Sequence, residues 1–375
     1  MVFKIVKLTD ITKPKQWKNL PSSELTDEGY DVYGANGIIG KYTEYNHEFP
    51  TLAITCRGAT CGNLHITKPK SYINSNAMAL DNLSNDVNIK YLYYALFNRG
   101  LKDVITGSAQ PQITREGLSK IKIPLPSLKE QIHISEILTN AENLITHRKE
   151  SIVLLDELLK SSFLEMFGDP VKNDKGWNID KIGNKCKVTK LAGYEYSKHI
   201  KYKEEGDIVV VKGMNVKNGR LKLDNNISYI DKTVSDFLVR SKLYEGDVVM
   251  TYIGINIGDV AIIEENEKYH LAPNVSKITP LSFKVINPYY LLHYLMYNRW
   301  LFVRGTTDTA KPALNMGEIR DIKIIIPNIE IQLQFEKIAK KIELLKTYYK
   351  SSLIELENMY GVLSQKAFKG ELNIK

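Results

Sequence analysis

The chain has 375 residues, 43% of them apolar and 25% charged, with a formal net charge of +8. This is ordinary globular composition, long enough for two or more domains, and it excludes a disordered or collagen-like chain. No run approaches the roughly 20 apolar residues that span a bilayer, and Met1 to Asp10 carries scattered charge with no apolar stretch of signal-peptide length. A cytoplasmic location is therefore expected, and the positive excess favours a polyanionic partner.

Residues 1–127 read as a first α+β module with fifteen Lys and Arg against eleven Asp and Glu. Tyr33-Gly34-Ala35-Asn36-Gly37 is a turn, followed by Lys41, and Thr51 to Thr55 reads as a strand. Arg57-Gly58-Ala59-Thr60 sets a guanidinium beside flexible backbone, Tyr91 to Asn98 reads as a helix, and Gln110-Pro111-Gln112, ahead of Arg115, presents two amides from a stiffened loop. Arg suits bidentate contact with guanine, and Asn or Gln with adenine. Each such loop is also compatible with an ordinary solvated turn. Cys56 and Cys61 lie near His47 and His65, but the spacing matches no common zinc pattern. With Cys186 they are expected to be buried thiols and no metal site.

Residues 128–168 switch to helical spacing. Ile134, Leu138, Ala141, Ile145, Arg148, Ile152, Leu155, Leu159, Ser162 and Met166 follow steps of four and three, a heptad seam, and Gly168 before Asp169-Pro170 is the stop. This segment is acidic, with four basic residues against seven, which suits a protein partner better than DNA.

Residues 169–328 form a second basic module. Asp207 to Val211, Asp247 to Thr251 and Val260 to Ile263 read as strands and Tyr289 to Asn298 as a helix. Lys212-Gly213-Met214-Asn215-Val216-Lys217-Asn218-Gly219-Arg220 interleaves cations and amides, and Asn256 and Lys311 are further candidates for nucleic-acid contact. Residues 329–375 repeat the seam through Phe335, Ala339, Ile342, Lys346, Tyr349, Leu353, Leu356, Tyr360, Leu363 and Ala367, with Gly370 as the stop.

The two halves are therefore a duplication. Ala109-x-Pro111, Ile121-Lys122-Ile123, Pro126 and Gln131 recur as Ala310-x-Pro312, Ile322-Lys323-Ile324, Pro327 and Gln332 at a constant offset. Leu52 to Gly58 resembles Val248 to Gly254, whereas Met1 to Pro50 has no clear counterpart. A helix of this length, roughly 55–60 Å at 1.5 Å per residue, cannot bury such a stripe alone. The simplest expectation is an antiparallel coiled coil of the two helices with pseudo-two-fold symmetry; pairing between chains is the alternative.

Nothing in the chain reads as catalytic. Asn287-Pro288-Tyr289-Tyr290 resembles the Asn-Pro-Pro-Tyr motif of adenine methyltransferases. It begins a helix, however, where Asn caps and Pro occupies the first turn, and no glycine-rich cofactor loop precedes it. There is no GxxxxGK[ST] or HExxH motif.

The connector GSAQPQITREGLSKIKIPLPSLKEQ at 107–131, the strand pair GDVVMTYIGINIGDVAII at 246–263 and Ala367-Phe368-Lys369-Gly370-Glu371-Leu372 resemble the specificity subunits of Type I restriction–modification enzymes over essentially the whole chain. Departures fall in the second connector: Thr307-Asp308-Thr309 replaces the Gly-Ser turn, Asn328 follows Pro327 where Pro-x-Pro is usual, and Ile331-Gln332 replaces Glu-Gln. The resemblance implies two target-recognition domains (1–127 and 169–328) that read a bipartite DNA sequence, and two spacer helices (128–168 and 329–375) that bind two modification subunits. It implies S-adenosylmethionine on those subunits and ATP and Mg on restriction subunits, with no cofactor on this chain. On that reading Arg57, Gln110 and Gln112 contact one half-site and Lys212, Asn215, Arg220 and Lys311 the other. A non-catalytic protein–protein scaffold and a self-sufficient adenine methyltransferase are the alternative functions. If the helices act as a ruler, inserting or deleting one heptad is expected to change the number of unspecified base pairs between half-sites. Sequencing of methylated adenines reads this directly, and an unchanged gap refutes the ruler.

Overall fold

The structure is a computed structural model that describes residues 3–224, 226–303 and 313–372. The chain divides into two α+β units, residues 1–150 with 350–375, and residues 151–349. Each unit thus holds one module, the first part of the long helix that follows it, and the last part of the other long helix. Among the described residues no helix is long and apolar enough to cross a membrane.

In the first unit a four-stranded antiparallel sheet runs in the order Lys13–Gln16, Ala77–Asp81, Leu52–Thr55 and Leu64–Ile66. Leu52 to Thr55 are buried without alternation, because the strand lies inside the core rather than at its surface. A second sheet pairs Tyr30–Gly34 antiparallel with Gly37–Tyr42 and parallel with Tyr72–Ile73. Lys4–Lys7 pairs with Lys122–Leu125 just ahead of the long helix.

The second unit repeats this topology. Its four-stranded sheet is Cys186–Lys190, Val275–Pro280, Val248–Thr251 and Val260–Ile262. Ile208–Val211 pairs antiparallel with Tyr229–Ile230 and parallel with Tyr269–Leu271, and Lys242–Leu243 adds a fourth strand that the first unit lacks among the described residues. Asn178–Lys181 pairs with Lys323–Ile326. The expectation that Met1 to Pro50 lacks a counterpart is therefore corrected. Lys4 to Gln16 matches Asn178 to Lys190, and the Leu8 and Ile182 amides donate to Ile121 and Ile322 in the same way.

The long helices span Leu128–Phe167 and Ile329–Lys369. The first opens on a Ser127–Glu130 capping box, in which the Ser127 amide donates to Glu130 Oε2 at 2.9 Å. Gly168 and Gly370 follow at φ +78° and +73°, the left-handed cap that a side chain disfavours. The helices pack antiparallel within each unit. In the first, Tyr360 donates to Glu142 at 2.9 Å and Lys149 pairs with Glu357 at 2.9 Å. In the second, Lys346 reaches Asp156 at 2.5 Å and the Phe163 and Phe335 rings stand 5.3 Å apart.

Seam burial is uneven. Ile134, Leu138, Leu159, Phe335 and Ile342 are buried, while Ile145, Ile152, Leu155, Tyr349, Leu353, Leu356 and Leu363 are half-buried. Toward the end of the first helix the fully buried side chains are Phe163 and Phe167, not the seam positions Ser162 and Met166. A straight helix drifts about 20° per heptad from a strict seven-residue repeat. Here the drift turns the stripe onto the module, where Phe167 meets Tyr290 at 4.7 Å.

His293 lies in this second-unit core, with Phe335 at 5.1 Å and Nδ1 2.8 Å from the Tyr289 carbonyl oxygen. Burial pushes its pKa from 6.5 down to about 4, so the folded state holds a neutral imidazole that protonates more readily once unfolded. Its contribution is complete above pH 6.5 and is lost as pH falls toward 4, on the order of 3 kcal/mol in all. His293→Phe is expected to flatten that part of the stability–pH profile in chemical denaturation. An identical slope in variant and parent between pH 6.5 and 4 would contradict the assignment.

Candidate nucleic-acid interface

Three loops meet at one end of the four-stranded sheet in the first unit. The turn carrying Ala35 and Asn36 joins the strands Tyr30–Gly34 and Gly37–Tyr42. The loop from Arg57 to Gly62 follows the central strand. Thr55 and Thr60 clamp the two loops together, their hydroxyls donating to the Ala35 carbonyl at 3.0 and 2.6 Å, and Thr60 also reaches Asn36 Oδ1 at 3.0 Å. The third loop joins through backbone pairing of Arg57 with Gln112, in which the Gly58 amide donates to Pro111 at 3.1 Å and the Ile113 amide to Cys56 at 3.0 Å. Gly58 and Gly62 sit at φ +92° and +97°, values that let the loop turn back this tightly.

This arrangement brings Asn36, Arg57, Thr60 and Gln112 together. Arg57, Gln112 and Arg115 also line a cleft of about 330 Å³ with Lys15 and Gln16. Lys15 and Gln16 were not legible as site residues in the sequence. Lys15 Nζ lies 3.6 Å from the Trp17 ring centroid, so the run Lys13-Pro14-Lys15-Gln16-Trp17, basic and aromatic, was the available signal. Gln110 is exposed on the turn between Ile105–Thr106 and Gln112–Ile113. Lys41 is exposed further along its strand, opposite Asp31.

The second unit builds the same three-loop frame. Thr251 Oγ1 donates to the Gly213 carbonyl at 3.5 Å. The loop Ile253 to Gly258 repeats the turn hydrogen bonds of Arg57 to Gly62, with Ile257 to Gly254 at 3.0 Å and Gly258 to Thr251 at 2.7 Å, and Ile253 pairs with Ala313 as Arg57 does with Gln112. Arg299 braces this loop from behind, donating from Nε to the Ile257 carbonyl at 2.7 Å and pairing with Asp259 at 2.9 Å. Asn256 is half-buried in the loop and its carbonyl accepts the Asp259 amide at 3.0 Å.

Several second-unit candidates have other work. Asn215 is 1% exposed, its Oδ1 accepting the Lys212 amide and its Nδ2 donating to the Lys222 carbonyl, both at 3.0 Å. Buried and so engaged, this side chain shapes the loop. Arg220 is exposed but reaches Glu343 of the second long helix at 2.8 Å, from a hairpin whose turn is Asn218-Gly219 at φ +49° and +83°. Lys217 is exposed across that hairpin, and Lys212 is half-buried with Nζ 2.6 Å from Ser228 Oγ and 5.0 Å from the Tyr202 ring centroid. Lys311 lies outside the described residues.

The methyltransferase-like Asn287 is a helix cap. It is 5% exposed, its Oδ1 accepts the Tyr289 and Tyr290 amides at 2.9 and 3.2 Å, and its Nδ2 donates to Glu336 at 2.6 Å. Cys56 and Cys186 are buried, and burial raises their thiols to about 11 and about 12, whereas Cys61, expected to be buried, is half-buried.

The family model for the Type I restriction modification DNA specificity domain matches residues 2–154 and again 174–358. The chain is 25% identical over 333 residues to the Type I restriction enzyme MjaVIII specificity subunit of Methanocaldococcus jannaschii, covering 84% of this chain and 76% of that protein. Its fold is similar to the crystal structure of a Type I restriction–modification S subunit from M. genitalium, with a TM-score of 0.64 at 16% identity, covering 98% and 96% of the two chains. A chain from a structure of Type I complex assembly and conformational transition gives a TM-score of 0.57 at 16% identity, with 99% and 98% covered. With its duplicated loop frame and a twofold family match over most of its length, the chain belongs to the DNA specificity subunits of Type I restriction–modification systems, which select the sequence and are not themselves catalytic.

Proposed function

We propose that the chain reads a bipartite duplex through two target-recognition domains, residues 1–127 and 169–328, one half-site each, with spacer helices at 128–168 and 329–375. The observation that carries this reading is the three-loop frame, which gathers hydrogen-bonding side chains at one sheet end in the first unit and recurs in the second. Arg57, Gln112 and Asn36 are suited to base edges, with Gln110, Thr60 and Arg115 beside them and Lys41 on phosphate. In the second module Lys212, Lys217 and Lys311 supply positive charge and Asn256 an amide, while Asn215 and Arg220 hold the loops in place. The long helices receive two modification subunits. S-adenosylmethionine is held by those subunits, and ATP and Mg by restriction subunits that join them in the cytoplasm. The excess of acidic over basic residues on the first helix and the basic modules support this division.

Arg57→Ala in the assembled complex is expected to relax the first half of the methylated motif while leaving the second intact, with a loss of about 5- to 150-fold at the contacted base. Methylome sequencing reads the motif, and unchanged methylation at the same sequence counts against the assignment. Affinity for the cognate duplex is expected to fall steeply with salt as neutralised phosphates regain their counterions.

A further inference from the structure

The shared loop frame lets the two modules be compared position by position. The Tyr33 carbonyl accepts the Asn74 amide and the Val211 carbonyl accepts the Ala272 amide, which sets Asn36 opposite Met214. The turn bonds of the central-strand loop set Arg57 opposite Ile253, Ala59 opposite Ile255 and Thr60 opposite Asn256. The first module's tip is thus polar, with Asn36 and Arg57 exposed. The second module's tip is apolar, with Met214 50% and Ile255 95% exposed.

An isoleucine so exposed gains nothing for the fold, and its loop is already fixed by backbone bonds and by Arg299. It therefore binds without ordering a flexible segment. Lysines stand next to the two loops: Lys190 Nζ sits 5.8 Å from the ring of Tyr252, the residue before one loop, and Lys212 immediately precedes Gly213 in the other. An apolar tip in a basic module suits a surface with anionic edges and an apolar floor. In the major groove the apolar feature of a base pair is the C5-methyl group of thymine, which meets aliphatic side chains.

We propose that Met214 and Ile255 read thymine methyl groups in the second half-site, so that this module recognises its sequence by apolar contact where the first uses hydrogen bonds. The inference rests on the reading of the modules as DNA-binding domains. Its test replaces each thymine of the second half-site in turn by deoxyuridine, which lacks the methyl group, and measures duplex affinity of the full chain in its complex. The parent is expected to lose roughly four-fold at one or two positions, the worth of one buried methyl-sized group. Ile255→Ala and Met214→Ala, both at exposed positions, are expected to erase that penalty, while Arg57→Ala leaves it in place. If the parent prefers cognate over scrambled second half-sites but is indifferent to every deoxyuridine, the inference fails and the module reading stands. If cognate and scrambled half-sites bind alike, the module reading fails first. If Ile255→Ala impairs assembly with the modification subunits and leaves a deoxyuridine penalty untouched, the tip is a protein-docking surface and the inference is overturned.

Discussion

A buried glutamine at the start of each long helix joins helix to module. Gln131 and Gln332 are 0% exposed. Gln131 Oε1 accepts the Asn88 amide at 2.8 Å, and its Nε2 donates to the Asp86 and Pro126 carbonyls at 2.9 Å. Gln332 repeats the pattern with Asn287, Val285 and Pro327. Each amide thus ties the long helix to the cap of the module's own helix, and Tyr91 and Tyr290 lock the adjoining strands by donating to Pro124 and Ile325 at 2.7 and 2.6 Å. A buried polar group left unpaired costs about 1–3 kcal/mol, and a glutamine lost here would leave one donor and two acceptors. That penalty fixes the direction in which the helix leaves the module.

The remaining stability of each unit depends on covering the apolar stripe that this direction creates. In the first unit Ile134 and Leu138 pack with Tyr91, Tyr94 and Ala95, and the last turns of the other long helix close the cluster through Ala367 and Phe368. In the second unit Leu159, Phe163 and Phe167 play that closing part against Phe335, Ala339 and Ile342. In each unit the cluster around the start of one long helix is therefore closed by the last turns of the other. Seam positions nearer the middle of the helices are only half-buried.

What the sequence disclosed follows from the same physics. Gln131 and Gln332, the Ile-Lys-Ile strands and the helix stops were legible because their side chains, or a glycine at positive φ, do the structural work. The match of Lys4–Gln16 with Asn178–Lys190 was not, because it lies in backbone pairing, which tolerates almost any side chain. Phe163 and Phe167 were missed because a strict heptad ignores the drift of a straight helix. Asn215 and Arg220 looked like readers because amide and guanidinium groups serve a loop or an ion pair as well as a base. The bonds to Lys222 and Glu343 show the loop and ion-pair uses.

The loop tips follow the reverse rule. Their backbone is set by Thr55 and Thr251, by glycines at positive φ before and after the turn, and by main-chain bonds. The exposed side chains at Arg57 and Ala59, and at Met214 and Ile255, take little part in holding that path. A substitution at these points can change which atoms the tip offers without asking the loop to refold, and exposed positions of this kind usually shift stability by less than about 0.5 kcal/mol. The duplication therefore separates two demands. Buried glutamines, tyrosines and phenylalanines must stay alike for both units to close, whereas the tips are free to diverge into a polar and an apolar surface.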